Sequence, residues 1–231
     1  PQARLNNLAL SIGSEFLASV DFSQVAWNQV DIVPGLSDLT GRFVMHDDIG
    51  RLTVEGVAGE IGVNNLLDEN LFYDRLSIDG FFKWHERGVR IDVSTFNLNS
   101  QSLNINNQFS FDTQDSQLSL YSSIEQMPIT QLKTLFPNDF LDAETKQYLS
   151  SALQSGQMSS AQVLWQGELD QYPFEQNQGV FLANVSLRDS KLKFDESWPE
   201  IEQLDIDLLF ENKGLKMMSH TGRLQNVQLS E

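Results

Sequence analysis

The 231 residues carry 15 Lys and Arg against 32 Asp and Glu, a formal net charge of -17 that repels phosphate backbones and excludes nucleic acid as a partner. With 40% hydrophobic and 20% charged residues the chain can bury a sizeable core, while the absence of cysteine removes disulfides, thiolate zinc sites and cysteine nucleophiles together. The uncharged apolar runs are far too short to span a bilayer, and the opening at Pro1 without a secretory pattern reads as an internal piece of something longer.

Along the chain, short runs alternate apolar and polar residues, the period of strands with one dry face and one wet face throughout. The first runs are Leu8, Leu10, Ile12 and Phe16, Ala18, Val20, Phe22. A hairpin-like segment follows: Leu39, Gly41, Phe43, Met45, the turn His46 to Gly50, then Leu52 and Val54. A second copy has Ile78, Gly80, Phe82 and Trp84 before the turn His85 to Gly88, with Val89, Ile91 and Val93 after it. A third, late in the chain, runs Leu204, Ile206, Leu208, Phe210, the turn Glu211 to Gly214, then Leu215 and Met217. The Gly that ends each turn is expected to supply a positive backbone angle. Three such copies at irregular spacing make a weak repeat of the kind from which elongated sheets are built. Asn106-Asn107 and Asp112 to Asp115 are expected at further turns.

One stretch breaks the alternation. From Pro128 to Gly156 the apolar spacing becomes three and four, with Ile129, Leu132, Leu135 and Phe136 first and Tyr148, Leu149, Ala152 and Leu153 second. This predicts two short helices, the first ended by Pro137, the second capped by Asp142 and stopped at Gly156. The fold class is therefore mainly β with a helical pair around 128–155, and a sheet curled into a trough or a sandwich of two sheets would both cover its apolar face. The strand-rich parts 1–127 and 157–231 flank the pair as one continuous domain, since no Gly-, Ser- or Pro-rich linker separates them.

No reactive constellation is found. His46 and His85 fall in predicted turns, His220 has no evident partner set, and His46-Asp47-Asp48 lacks a second ligand cluster. The acids around Asp112 and Asp115 lack the Gly and terminal Glu of a calcium loop. The chain is read as no enzyme, with neither metal nor cofactor. Trp27, Trp84, Trp165, Trp198 and 15 Phe are core residues in an ordinary domain; a single-layer sheet with no second layer changes that balance, because something must cover its apolar face.

An ordered series of motifs then carries a resemblance. Leu135-Phe136-Pro137, Tyr148-Leu149 to Leu153, Trp165-x-Gly167-x-Leu169, Tyr172-Pro173-Phe174, Gly179-x-Phe181, Leu192-x-Phe194, Trp198-Pro199 and Gly214-Leu215 follow one another in an order that resembles the AsmA-like, TamB-related family. Members of that family are very long envelope proteins of Gram-negative bacteria. Pro34-Gly35-Leu36 before Leu39-x-Gly41 extends the likeness toward the start. The resemblance implies an internal segment of an inner-membrane-anchored periplasmic protein, its anchor outside these residues. Its fold would be an elongated antiparallel repeating β-groove, a curled single-layer sheet whose hydrophobic trough would conduct phospholipid acyl chains toward the outer membrane, with the two membranes and other envelope proteins as further partners. On the period of two, Phe43, Met45, Phe82, Trp84, Leu208 and Phe210 line the inner face with Val54, Ile91 and Met217 beside them, while Arg42, Lys83 and Asp207 point outward. The alternative is a non-enzymatic β-sandwich or solenoid scaffold of the cell envelope whose apolar faces cover one another.

Overall fold

The computed structural model describes residues 2–30, 34–63, 67–135, 143–195 and 197–230. Alternation gives way to strand almost everywhere: β1 (Gln2–Ile12), β2 (Phe16–Trp27), β3 (Gly35–His46), β4 (Ile49–Gly62), β5 (Leu71–His85), β6 (Gly88–Asn99), β7 (Asn104–Asp112) and β8 (Gln117–Ile124). After the two-residue β9 (Met127–Pro128) come α1 (Ile129–Leu132), a 3-10 turn over Lys133–Leu135, and α2 (Ala143–Ala152). The chain ends with β10 (Leu153–Glu168), β11 (Val180–Leu192), β12 (Ile201–Glu211), β13 (Gly214–Leu224) and β14 (Val227–Ser230). All belong to one 14-stranded antiparallel sheet in which each strand pairs with the next in sequence, β8 meeting β10 and β9 continuing the line of β8 along β10. The sheet does not close on itself, because β1 and β14 do not pair.

The three repeated segments are the hairpins β3–β4, β5–β6 and β12–β13. Their turns are tighter than the sequence suggests, since His46 and His85 are the last residues of their strands and Gly50, Gly88 and Gly214 already pair with Met45, His85 and Glu211. None of these glycines takes a left-handed angle. Asp47 and Asn212 do so instead, with φ of 50° and 50°, a conformation that Asp and Asn tolerate. Asn106 and Asn107, expected at a turn, lie inside β7 opposite Asn97 and Phe96, because the reversal occurs earlier, where the Ser100 amide donates to the Leu103 carbonyl. The Asp112 to Asp115 stretch does turn: Asp112 accepts from the Gln114 amide at 3.0 Å and Asp115 from that of Gln117 at 3.3 Å.

Extra residues in neighbouring strands bend the sheet along two lines. Gln24, Asp38 and Ala58 on β2, β3 and β4 have φ of 53°, 55° and 51°, and Asp189 and Gln203 on β11 and β12 have 46° and 51°. Pairing slips where β2 meets β3, β3 meets β4 and β11 meets β10 and β12. Such bulges sharpen twist and bend the strand that carries them.

The face that carries the core is the inner face. Its most buried side chains include Leu76, Leu98, Met158 and Leu187, and the segment between β8 and β10 lies on it: Met127, Ile129, Leu132 and Ala152 join the same cluster. One short helix reaches both sides of the sheet. Lys146 on α2 meets Asp68 of the β4–β5 connection at 2.8 Å, and the Ala152 carbonyl accepts from the Lys193 amide after β11 at 2.9 Å. Six residues of helix cover about 9 Å, whereas β5 and β11 are five strand spacings apart, about 24 Å in a flat sheet. The curl of the sheet brings these connections together.

The helical pair is shorter than the spacing implies. Leu153 begins β10 opposite Leu192, and Gly156, expected to stop the helix, lies within β10 with φ of 120°. There the bulge at Asp189 on β11 comes so close that a Cβ on Gly156 would stand 2.6 Å from the Ser190 Cα. Phe136, Pro137 and Asp142, expected to end the first helix and cap the second, lie outside the described residues.

Leu149 is buried to 8% exposure in the α2 packing face. Replacing it by Asp places a carboxylate against leucine side chains, and Leu149→Asp is expected to lower unfolding free energy by about 3 kcal/mol or more in a urea titration.

Candidate functional site

Antiparallel pairing puts opposed residues on the same face, so the inner face can be followed rung by rung. One rung runs Ala18, Met45, Gly50, Phe82, Ile91, Phe111 and Leu118 from β2 to β8. The next runs Val20, Phe43, Leu52, Gly80, Val93, Phe109, Leu120, Trp165 and Phe181, ending on β11. A third contains Phe22, Gly41, Val54, Ile78 and Phe96 and, after two polar members, Val163, Ala183, Phe210 and Leu215. Leu208 lies opposite Val185 and Met217 in a fourth.

The structure thus places Phe43, Met45, Val54, Phe82, Ile91, Leu208, Phe210 and Met217 on one face, with Trp84 beside them at the hairpin end of β5. Phe43, Phe82 and Trp84 form one cluster: Trp84 meets the Phe43 ring edge-on at 6.5 Å and stacks on Phe82 at 6.2 Å. It stays 37% exposed. Gly50 makes the cluster possible, because a Cβ there would come within 2.9 Å of the Phe43 ring and 3.1 Å of Trp84. Two of the predicted residues are buried, Val54 within the sheet's core cluster and Leu208 beneath α2 in a cleft of about 30 Å³ whose walls include Leu149, Leu187 and Met217.

Arg42, Lys83 and Asp207 occupy the opposite face. Arg42 approaches Asp21 on β2 at 3.6 Å, and Lys83 pairs with Ile49 and Arg90. Asp207 accepts from Arg188 at 2.9 Å and lies 2.9 Å from His220, which therefore does have a partner set. Burial pushes the Asp207 carboxyl up, but hydrogen bonds with His220, Arg188 and Ser186, aided by the Arg188 charge, outweigh it and leave the pKa at about 2. Among the described residues no three His, Asp or Glu side chains converge in a metal-binding group.

Three features escape a strict period of two. The outer face is not uniformly polar: Phe72, Phe81, Tyr121 and Leu164 are exposed on it. Phe81 is covered in part by the Arg51 guanidinium 5.4 Å from its ring, and Arg51 also binds Asp79 at 2.8 Å. The inner face carries a polar interruption, because Asn107 and Ser122 stand opposite one another between Phe96 and Val163, and the Asn107 Oδ1 is buried without a hydrogen-bond partner. The β10–β11 connection folds back over the sheet, where Tyr172 stacks on Trp165 at 5.4 Å and Phe174 meets it edge-on at 5.1 Å. The signal for that return was present in Tyr172-Pro173-Phe174 between Gly167 and Gly179, since a side chain on Gly167 would collide with the Phe174 ring at 2.7 Å.

The apolar face is open at both lateral edges, where β1 and β14 do not pair. Comparison with known proteins narrows the setting. The model of the YhdP protein family matches residues 1–231. The chain belongs to the YhdP family. It is 26% identical, over 242 aligned positions, to the intermembrane phospholipid transporter YhdP of Escherichia coli strain K12. That alignment takes in 100% of this chain and 19% of the relative, so the chain spans about a fifth of the length of that family member. No solved structure matches it. Among the described residues no helix is long and apolar enough to cross a membrane.

Gly50→Val is expected to separate Phe43 from Trp84, red-shifting Trp84 fluorescence in a variant whose other tryptophans are replaced by Phe, and to lower stability by about 1–3 kcal/mol. The depressed Asp207 pKa stabilises the fold above the ordinary carboxylate range, and this contribution disappears as pH falls from about 4 toward about 2. Asp207→Asn should flatten the fall in urea midpoint across that interval relative to the unmodified chain.

Proposed function

We propose that this chain is a segment of a bridge-like lipid-transfer protein. Phospholipid acyl chains lie along its inner face, and headgroups stay at the rims in water. The observation that carries the reading is the set of unbroken apolar rungs from β2 to β8 around Phe43, Met45, Phe82 and Ile91, together with membership of a family that includes a phospholipid transporter. Removing an acyl chain from water gains about 0.8 kcal/mol per buried methylene, so contact with a continuous apolar floor is favourable at every position along it. No polar pocket of fixed identity is needed. The net charge of -17 disfavours adsorption of anionic headgroups to the outside, within the roughly 8 Å that salt leaves unscreened.

The setting proposed with this function is the periplasm, in an inner-membrane-anchored protein that carries lipid toward the outer membrane through parts beyond this chain. The role is non-enzymatic. The chain contributes floor and walls, and the residues assigned to acyl contact are Phe43, Met45, Val54, Phe82, Trp84, Ile91, Leu208, Phe210 and Met217.

The test is site-specific photo-crosslinking in the purified chain incubated with phosphatidylethanolamine vesicles. A diazirine side chain at 43 or 82 should capture lipid, and one at 42 or 83 should not. Equal capture from both parities, or capture from neither, would defeat the assignment and favour the scaffold reading, in which the apolar face is covered by protein.

A further inference from the structure

The inner face is not equally open along its length. None of the inner-facing residues of β1 and β2 is buried, and Leu8 and Ile12 are among the most exposed apolar side chains of the molecule. On β10 the situation reverses. Its inner-facing residues are Leu153, Met158, Ala161, Val163, Trp165 and Gly167, and of these all but Val163 are buried. Leu204, Ile206 and Leu208 on β12 are buried as well, whereas Leu215 and Met217 on β13 are exposed again. An apolar path entering at β1 therefore passes buried inner-facing residues on β3–β6, among them Leu39, Val54, Leu76 and Leu98, then meets at β10–β12 a stretch closed by covers of its own, and reopens at β13.

Two separate covers make the closure. At the hairpin-turn end, Tyr172 and Phe174 fold over Trp165 and Phe181 in a four-ring cluster, with Phe174 at 1% exposure. At the opposite end α2 lies over β10–β13, facing Leu187, Ile206 and Leu208 across the cleft beneath Leu149 and Ala152. The two covers are not held alike. The aromatic cover is interlocked with Gly167 and Gly179, where any side chain would overlap Phe174. The helix is ten residues long, too short to persist alone, and its described apolar anchors in the cleft are Tyr148, Leu149 and Ala152, of which Tyr148 remains exposed. Its Lys146–Asp68 ion pair joins it to the far wall.

We propose that α2 is a movable strap that closes the trough over β10–β12, and that an acyl chain crosses this stretch by displacing α2 and taking its place on Leu187, Ile206 and Leu208. This rests on the lipid-carrying reading and adds a closed and an open state to it. The ligand chemistry is a long unbranched hydrocarbon, because the cleft beneath the strap is narrow and apolar and opens toward exposed Leu215 and Met217. A binding equilibrium of this kind shifts only as far as the ligand favours the open state, so holding α2 down must exclude lipid from the cleft and leave the open rungs unaffected.

The chain contains no cysteine, so an introduced pair is unique. Asp68→Cys with Lys146→Cys would be compared after capping with N-ethylmaleimide, which leaves the strap without its ion pair, and after bridging with a short bis-maleimide, which fixes it. Each form, and the unmodified chain, carries a diazirine side chain at 208 or at 43 and is incubated with phosphatidylethanolamine vesicles containing an alkyne-tagged tracer. Capture at 208 should be highest in the capped form and at least roughly tenfold lower in the bridged form, with capture at 43 unchanged among all three. Equal capture at 208 in capped and bridged forms, with capture at 43 retained, overturns the strap and leaves the lipid reading standing. Loss of capture at 43 in the unmodified chain overturns the lipid reading, and the strap with it.

Discussion

A sheet one layer thick satisfies its backbone within the layer and leaves an entire face of side chains to be covered. In this protein that shortage governs everything else. Fourteen strands present a nearly continuous apolar face, and the described helical material is α1, α2 and two 3-10 turns, Leu169–Gln171 in the β10–β11 connection and Lys133–Leu135 in the insertion between β8 and β10. Where this insertion reaches, side chains such as Ile129, Leu187 and Ile206 are fully removed from water. Where it does not, Leu5, Leu8, Leu10 and Ile12 remain in solvent on β1. Curling reduces the deficit without removing it, and the remainder is the surface offered to hydrocarbon.

The outer face is organised by charge across neighbouring strands. Arg42 with Asp21, Arg51 with Asp79, Arg188 with Asp207 and Arg223 with Glu202 are each a cation on one strand beside an acid on the next. Exposed pairs of this kind contribute little to stability individually. Their more important effect is on register, since a slip of one residue would turn Arg42 or Asp207 onto the apolar floor and Phe43 or Leu208 into water. With the cations paired locally, the excess of acids is left to define the exterior.

Much of this arrangement could be read from the sequence. The hairpins around Phe43, Phe82 and Leu208 alternate cleanly across their turns, and so their inner and outer residues follow directly from a period of two. The reading fails where strands bulge. On β4 the buried positions step from Val54 and Gly56 to Ile61 and Val63, and on β5 from Leu76 to Tyr73, which puts Phe72 on the wet side although it shares the parity of Leu76. Gln24, Ala58 and Gln203 occupy left-handed positions that their residue types do not announce, because the bend is imposed by neighbouring strands and not by local preference. The helical spacing was legible, but its end was not: Leu153 satisfies the helical pattern and the strand pattern equally, and pairing with Leu192 decides between them. The return of Tyr172 and Phe174 onto Trp165 is tertiary in origin. The motif marked the place, and packing against Gly167 and Gly179 supplied its meaning.

The order of the strands carries a consequence for how such a molecule tolerates damage. Every strand is hydrogen-bonded to its neighbours in sequence, with one interruption where β8 passes to β10 across the insertion. Contacts of this kind close short loops, so hairpins can form early and independently and the sheet can grow from several of them at once. Cooperativity then decays along the array as it does in repeat proteins, where each unit depends chiefly on the units beside it. A fault in β2 would be felt in β1 and β3 and scarcely in β12. The exception is the β8–β10 junction, where α2 ties the β4–β5 connection to the end of β11. At that point two distant parts of the array are linked through one short helix, so a fault near β4 reaches β11 for as long as α2 is seated.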